Sequence, residues 1–155
     1  DNFEVLFRRD EELTAVFHKD SVFLEDGQKS VTLKDLEDVP LSLSSGCSEI
    51  VLKAFAQKSM VPRITCTSTT RSTTLEWTRV KAAVSIVPVE EGEDLGEEFV
   101  ARPISDITAD VYKTVVKVKD RPLSVAAQHF LKFYSKTRNS QQVCDLDAIL
   151  KSSNL

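Results

Sequence analysis

The chain has 155 residues and a formal net charge of −4, from 24 acidic and 20 basic side chains. This length suits one domain with a buried core, and the ordinary charged and apolar fractions argue against a disordered chain. The acidic balance and the lack of a Lys/Arg run argue against a nucleic-acid surface, and no apolar stretch is long enough for a transmembrane helix.

The first residues also carry no targeting signal, since DNFEVLFRRDEE lacks the basic start and apolar segment of a signal peptide. The three cysteines, Cys47, Cys66 and Cys144, are widely spaced and form neither a metal pattern nor an even disulfide set. We therefore expect a reduced, cytoplasmic protein without a metal or cofactor.

Strand and helix patterns alternate along the chain. Strands are predicted near residues 12–19, 39–44, 62–68, 84–89, 99–104 and 111–118 from their β-branched content. Helices are predicted over Thr32–Asp38, 44–59, Ser72–Ala83 and Leu123–Arg138, with a weak one in DLDAILKSS (145–153). Thr32 and Ser124 are the expected N-caps. Asp26-Gly27 marks a turn within Leu24–Ser30, and the acidic segment Glu91–Glu98 reads as a connection.

This alternation predicts an α/β fold, a mixed sheet flanked by helices with right-handed crossovers. Ligands of such sheets sit at the carboxyl ends of strands, beside helix N-termini. Two hydroxyl-rich turns, Ser42–Ser48 and Thr67–Thr73, fall at such positions, and eight of the ten residues from Thr65 to Thr74 are Thr or Ser. They predict either an anion site or simple helix capping, because Ser and Thr are also common N-caps.

The order of elements resembles the effector-binding domain of LysR-type transcriptional regulators over about Leu6 to Tyr134. The stretches that carry the resemblance are LFRRDEELTAVFHKDSVF, VTLKDLEDVPLSLSSG, VPRITCTSTTRSTTLEWTRVKAAVSIVP and YKTVVKVKDRPLSVAAQHFLKFY. No single motif is specific, but their order and spacing together are. The resemblance implies a fold like type-2 periplasmic binding proteins.

Two features depart from the family pattern. The family's glycine pair before its apolar strand falls on Lys81 and Ala83, so the helix-to-strand turn is expected to be built differently. The family's histidine before its PLA phrase is absent, and KDSVF stands there instead.

The resemblance also implies a domain organisation. We expect residues 1–139 to be a partial effector-binding domain that begins inside the first subdomain, crosses to the second and returns. The second subdomain is expected at about 18–118 and the return helix at 124–138, with 140–155 as a C-terminal tail. The family's winged helix-turn-helix is not within this sequence, so the chain alone is not expected to bind DNA specifically.

The function implied is the sensing of a small, often anionic effector, bound between two subdomains, which controls DNA binding or transcription by the full-length protein. The predicted effector-binding residues lie on the two turns: Ser44, Ser45, Gly46, Thr67, Thr69, Thr70 and Arg71. Expected partners are the effector, a second copy in a homodimer or tetramer, and DNA through the separate helix-turn-helix. The helix at Ser72–Ala83 and its neighbouring strand are the expected dimer surface, and no membrane is involved.

Other chemistries have less support in the sequence. A hydrolase needs a nucleophile, a base and an orienting group, but no Gly-x-Ser-x-Gly elbow exists, and His18 and His129 are read as structural or surface residues. Lys53 and Lys58 are read as solvated helix positions, and Trp77 as packing or subunit contact.

Cys47 leaves an alternative function open. It follows Gly46 and precedes a helix, where a helix N-terminus can lower a thiol pKa, so a redox switch is one alternative. A small core or turn residue is the other reading of Cys47. A solute-binding protein of similar fold is a further alternative function. The missing signal peptide and the free cysteines argue against it.

Overall fold

The computed structural model describes residues 2–23, 27–136 and 141–152. Its strands are β1 (Phe3–His18), β2 (Pro40–Ser44), β3 (Arg63–Ser68), β4 (Val84–Val89), β5 (Phe99–Pro103), β6 (Val111–Val118) and β7 (Gln141–Gln142). Its helices are α1 (Ser45–Gln57), α2 (Arg71–Arg79), α3 (Val125–Tyr134) and α4 (Leu146–Ser152). The chain divides into a larger unit, Glu11–Val111, and a smaller unit of Asp1–Asp10 with Tyr112–Leu155.

The larger unit is built on a sheet with the strand order β3-β2-β4-β1-β5. β2 pairs in parallel with both β3 and β4, whereas β1 pairs antiparallel with β4 and β5. The mixed α/β sheet predicted from the alternation of elements is therefore confirmed.

The main core of the larger unit lies between this sheet and α1. Leu41 and Leu43 on β2 and Val51 and Phe55 on α1 are fully buried in one cluster. Val51 and Phe55 lie one helical turn apart, so α1 presents an apolar stripe to alternate residues of the strands. This packing places the start of α1 at the end of β2.

A hydroxyl network attaches α2 to the same sheet. Thr78 Oγ1 lies 2.6 Å from Ser85 Oγ on β4, and the Ser85 hydroxyl donates to the Thr74 carbonyl at 2.7 Å. All three residues are completely buried. Buried hydroxyls need partners, and here helix and strand supply them to each other.

The smaller unit has its own apolar core. β6 and β7 both pair with β1. Leu6 and Phe7 of β1 pack in one cluster with Leu131 of α3 and with Ile149 and Leu150 of α4. α3 begins after Ser124, whose side chain accepts a hydrogen bond from the Ala127 N–H at 3.2 Å, as predicted for its N-cap.

Two sequence predictions need correction. β1 begins at Phe3 rather than near residue 12, because charged residues interrupt the apolar alternation of a strand that still pairs along its length. Thr32–Asp38 is not a helix but a series of turns, in which backbone N–H groups bond to carbonyls three residues back. Pro40 opposes helical geometry at Val39, so the turns do not extend into an α-helix. The Thr32–Asp35 capping contact nevertheless forms, with the Thr32 N–H donating to Asp35 Oδ2 at 2.8 Å.

The predicted turn at Leu24–Ser30 lies partly outside the described residues, since 24–26 are not among them. Gly27 has a φ of +113°, which suits a glycine turn. Residues 137–138 of the predicted return helix, and 140 and 153–155 of the predicted tail, also lie outside the described residues.

Both α1 and α2 end in a left-handed residue that is not glycine. Ser59 (φ +57°) follows α1, and Lys81 (φ +60°) follows α2. The Lys81 N–H bonds to the Thr78 carbonyl and the Ala82 N–H to the Trp77 carbonyl, which is the Schellman pattern. Lys81 thus takes the left-handed position of this helix C-cap, at the turn where the LysR pattern described above carries a glycine.

Candidate functional site

The two hydroxyl-rich turns lie side by side at one edge of the sheet. Ser44 and Ser68 are register partners at the carboxyl ends of the parallel strands β2 and β3. Neighbouring strands are about 4.8 Å apart, so the start of α1 and the residues after β3 are adjacent. The two turns that the sequence singles out are therefore neighbours in the folded chain.

The N-terminus of α1 has no side-chain cap. Ser44 occupies the N-cap position with extended backbone angles, but its side chain accepts no hydrogen bond from the helix backbone. Its Oγ lies 3.1 Å from Cys47 Sγ instead. The first N–H groups of the helix are consequently left for an external acceptor, and the helix dipole favours an anionic one.

Ser45 and Gly46 leave this helix start open. Both residues are exposed. A Cβ added at Gly46 would meet no atom within 4 Å, so the protein itself does not require glycine for space. A bare backbone at this position lets a ligand approach the amides closely.

Cys47 is a buried thiol. It is 1% exposed, and its Sγ lies 3.4 Å from the Ser44 carbonyl and 3.5 Å from the Ile86 carbonyl. Burial raises the pKa of the Cys47 thiol, and the hydrogen bonds with Ser44 offset this rise only in part. A protonated, inaccessible thiol is a poor nucleophile at neutral pH, so this geometry favours the reading of Cys47 as a core residue.

The N-terminus of α2, by contrast, is capped from within the chain. The Thr70 Oγ1 accepts the Thr73 N–H at 3.2 Å and also lies 2.8 Å from Thr73 Oγ1. Thr74, one turn further, donates its hydroxyl to the Thr70 carbonyl at 3.0 Å. Thr70, Thr74 and Thr78 recur every four residues, and this helical spacing was a signal in the sequence for the network that attaches α2.

Arg71 is paired with an acidic side chain. Its Nη2 lies 2.9 Å from Glu93 Oε1, and its Nη1 donates to Glu93 Oε2 at 3.2 Å. This two-pronged pair occupies the planar fork that a carboxylate ligand would need. The acidic connection after β4 was visible in the sequence, but its partner was not, because the contact joins residues 22 positions apart.

Thr67 and Thr69 are two of the exposed hydroxyl residues of the second turn. Neither side chain makes a hydrogen bond within the described part of the chain, in contrast to Thr70. Thr67 is the register partner of Leu43, so it lies on the sheet face that α1 covers. Ser45, Gly46, Thr67 and Thr69 thus form the open part of the predicted site.

The remaining candidates lie elsewhere. The His18 Nδ1 accepts the Asp20 N–H at 3.1 Å, and His129 is exposed on α3. Lys58 is ion-paired with Asp106, whereas Lys53 is exposed.

Within residues 2–23, 27–136 and 141–152, no group of three or more His, Cys, Asp or Glu side chains is arranged to hold a metal ion. None of the helices in this part of the chain combines the length and the apolar character of a membrane span.

The fold is similar to several solved regulators. It matches the effector-binding domain of QuiR in complex with shikimate with a TM-score of 0.65 and 20% identity, over 85% of this chain and 63% of that one. The Synechocystis PCC6803 CcmR regulatory domain in complex with 2-PG gives 0.64 and 17%, over 85% and 64%. Full-length CbnR in complex with its target DNA gives 0.63 and 21%, over 86% and 46%.

The chain therefore spans about half to two thirds of the length of these proteins. No curated protein sequence matches it. The LysR substrate binding domain family matches residues 2–138, which is most of the sequence. The chain belongs to this family, the effector-binding domain of LysR-type transcriptional regulators.

Proposed function

We propose that this chain senses a small anionic effector at the carboxyl ends of β2 and β3. Binding there controls DNA binding or transcription by the full-length regulator, which contacts DNA through a helix-turn-helix domain outside these 155 residues. The observation that carries the proposal is the uncapped N-terminus of α1 beside the exposed hydroxyls of Thr67 and Thr69.

The proposed contacts follow from this arrangement. The N–H groups of the first turn of α1 donate to an oxyanion, and the positive end of the helix dipole stabilises its charge. Thr69 and Thr67 add hydroxyl donors from the neighbouring strand end. Thr70 and Arg71 support the shape of the turn, because their polar groups already serve the cap of α2 and the pair with Glu93.

Related regulators support an anionic ligand. The matched structures contain shikimate in QuiR and 2-PG in CcmR. The family consists of transcriptional regulators rather than enzymes. The redox alternative centred on Cys47 has less support, since burial raises the pKa of its thiol and removes it from solvent.

We also propose that the full-length protein works as a homodimer or tetramer in which α2 and its neighbouring strand contribute contacts. Trp77 is half-buried and Val80 is 68% exposed beside the end of α2, which leaves apolar surface for a partner.

A ligand screen with a matched variant tests the sensing proposal. Small carboxylates and phosphates, including shikimate and 2-PG, are titrated against the full-length regulator and followed by thermal shift. Gly46→Ala should keep or slightly raise the melting temperature, because the added methyl group meets no protein atom. It should lower the affinity for any anion that stabilises the wild type. Equal affinity in both proteins would refute binding at the start of α1.

A further inference from the structure

A groove of about 250 Å³ lies between one face of α1 and the segment that follows β5. Ile50, Lys53, Ala54 and Gln57 form its helical wall, and Asp106–Ala109 form the opposite one. The helical residues are spaced at i, i+3, i+4 and i+7 and so share one face of α1. At about 1.5 Å per residue, Lys53 is roughly 10 Å along the helix from Gly46.

The rim of the groove carries a lysine without a counter-charge. Lys53 is exposed, and within the described residues it forms no ion pair, even with Glu49 one turn before it. Asp106, the acidic group of the groove, is already engaged by Lys58 and by the Leu33 N–H at 2.9 Å. Lys58 is therefore paired with Asp106, whereas no ion pair among the described residues neutralises the charge of Lys53.

One part of the lining is apolar and suits the alkyl end of a molecule that also carries an anionic group. Ile50, Ala54 and Ile107 are partly buried and pack against the core, so they present an apolar floor. In the opposite wall, the backbone N–H groups of Thr108 and Ala109 donate no hydrogen bond to any described residue. A carboxylate at this rim meets both an ammonium and free amides.

A neighbouring depression on the surface is less suited to an anion than this groove. It shares Ile107–Ala109 but is lined on its other side by Glu11, Glu12 and Asp110. Acidic walls disfavour an anion, so the two sides of the same segment differ in the charge that they accept.

We propose that the groove between α1 and Asp106–Ala109 is a second small-molecule site, separate from the strand-end turns, that binds a monocarboxylate with a short alkyl chain. Lys53 pairs with the carboxylate, and the alkyl chain lies on Ile50, Ala54 and Ile107.

The test is an NMR titration of the ¹⁵N-labelled chain with sodium hexanoate, compared with hexanol. Saturable amide shifts are expected in Ile50–Gln57 and Thr108–Ala109 with hexanoate, and weaker binding with hexanol. Lys53→Met should weaken hexanoate binding by about tenfold, the scale of one charge-assisted hydrogen bond. Lys53→Arg should restore most of the affinity, and Lys132→Met, on the exposed surface of α3, should leave it unchanged.

Three results would overturn the proposal: no saturable shift in these residues, equal binding of hexanol, or no effect of Lys53→Met. Shifts confined to Ser45–Cys47 and Thr69–Arg71 would report the strand-end site and would likewise refute the groove. Thr69→Val should leave the affinity of the groove unchanged, so the failure of one site is distinguishable from the failure of the other.

Discussion

Helices α1 and α2 begin at neighbouring strand ends with similar hydroxyl-rich sequences, yet their N-termini are in opposite states. In α2 the Thr70 hydroxyl accepts the N–H of the third helical residue, Thr73. In α1 the equivalent third residue is Cys47, and its thiol takes the Ser44 hydroxyl away from the backbone. One side-chain contact thus separates a closed helix start from an open one, and hydroxyl content alone does not reveal which is which.

The largest expected difference is in thiol chemistry. Cys47 should react with a thiol reagent on the order of a hundredfold more slowly than the partly exposed Cys66, because its reaction needs a local opening that costs a few kcal/mol. Timed labelling followed by mass spectrometry of the peptides measures both rates in one sample. Comparable rates for the two cysteines would revive the redox alternative.

The pKa of Cys47 also gives a pH dependence with a defined sign. Because burial raises this pKa in the folded state, the contribution of the thiol to stability is complete below the unfolded value of about 8.5. It is lost as the pH rises toward the folded value. Denaturant unfolding of wild type and Cys47→Ala across this pH range measures the effect. The difference in the free energy of unfolding between the two proteins should narrow as the pH rises.

Thr69→Val tests the part of the second turn that does not serve the cap of α2. The substitution keeps the shape of the side chain but removes a hydroxyl that has no partner in the described part of the chain. It should weaken effector binding by about 1–2 kcal/mol and change the free energy of unfolding little. Both quantities are measured on the same full-length variant, and a loss of stability without a loss of affinity would contradict the proposed role.

Thr70→Ala tests the closed turn, with Ser44→Ala as its matched control. Removing the cap of α2 should lower the free energy of unfolding by about 1 kcal/mol. Ser44→Ala should lower the free energy of unfolding by less than this, because the Ser44 hydroxyl caps no backbone group. Denaturant melts decide, and equal losses in the two variants would mean that the two helix starts do not differ in solution.

The smallest expected effect concerns the helix C-termini, where α1 and α2 are alike. Ser59→Gly should raise the free energy of unfolding by about 0.5 kcal/mol, since glycine adopts a positive φ without the steric cost of a side chain. Lys81→Gly should raise the free energy of unfolding by less, because this substitution also removes the ion pair between Lys81 Nζ and Asp20 at 3.0 Å. A gain that is larger for Lys81→Gly in denaturant melts would show that this exposed pair contributes nothing.

The sequence was sufficient for most of the fold, because β-branched strands and apolar helical stripes follow from local periodicity. It failed at Thr32–Asp38, where Leu33 and Leu36 have a helical spacing but the chain forms successive turns before Pro40. It identified the two turns of the candidate site but not the state of each hydroxyl. The side-chain rotamer of Ser44 and the pairing of Arg71 with Glu93 depend on contacts that only the folded chain creates.

The buried hydroxyls beneath α2 constrain how this sequence can diverge. Thr78→Val alone would remove one hydrogen-bond partner of the buried Ser85 hydroxyl. Ser85→Ala alone would leave the Thr78 hydroxyl with the Val16 carbonyl, at 3.3 Å, as its partner. Replacing both by apolar residues of similar shape removes the demand altogether, so the two changes are tolerated together better than either is alone. Among diverging relatives, positions 78 and 85 should therefore exchange polar for apolar character as a pair.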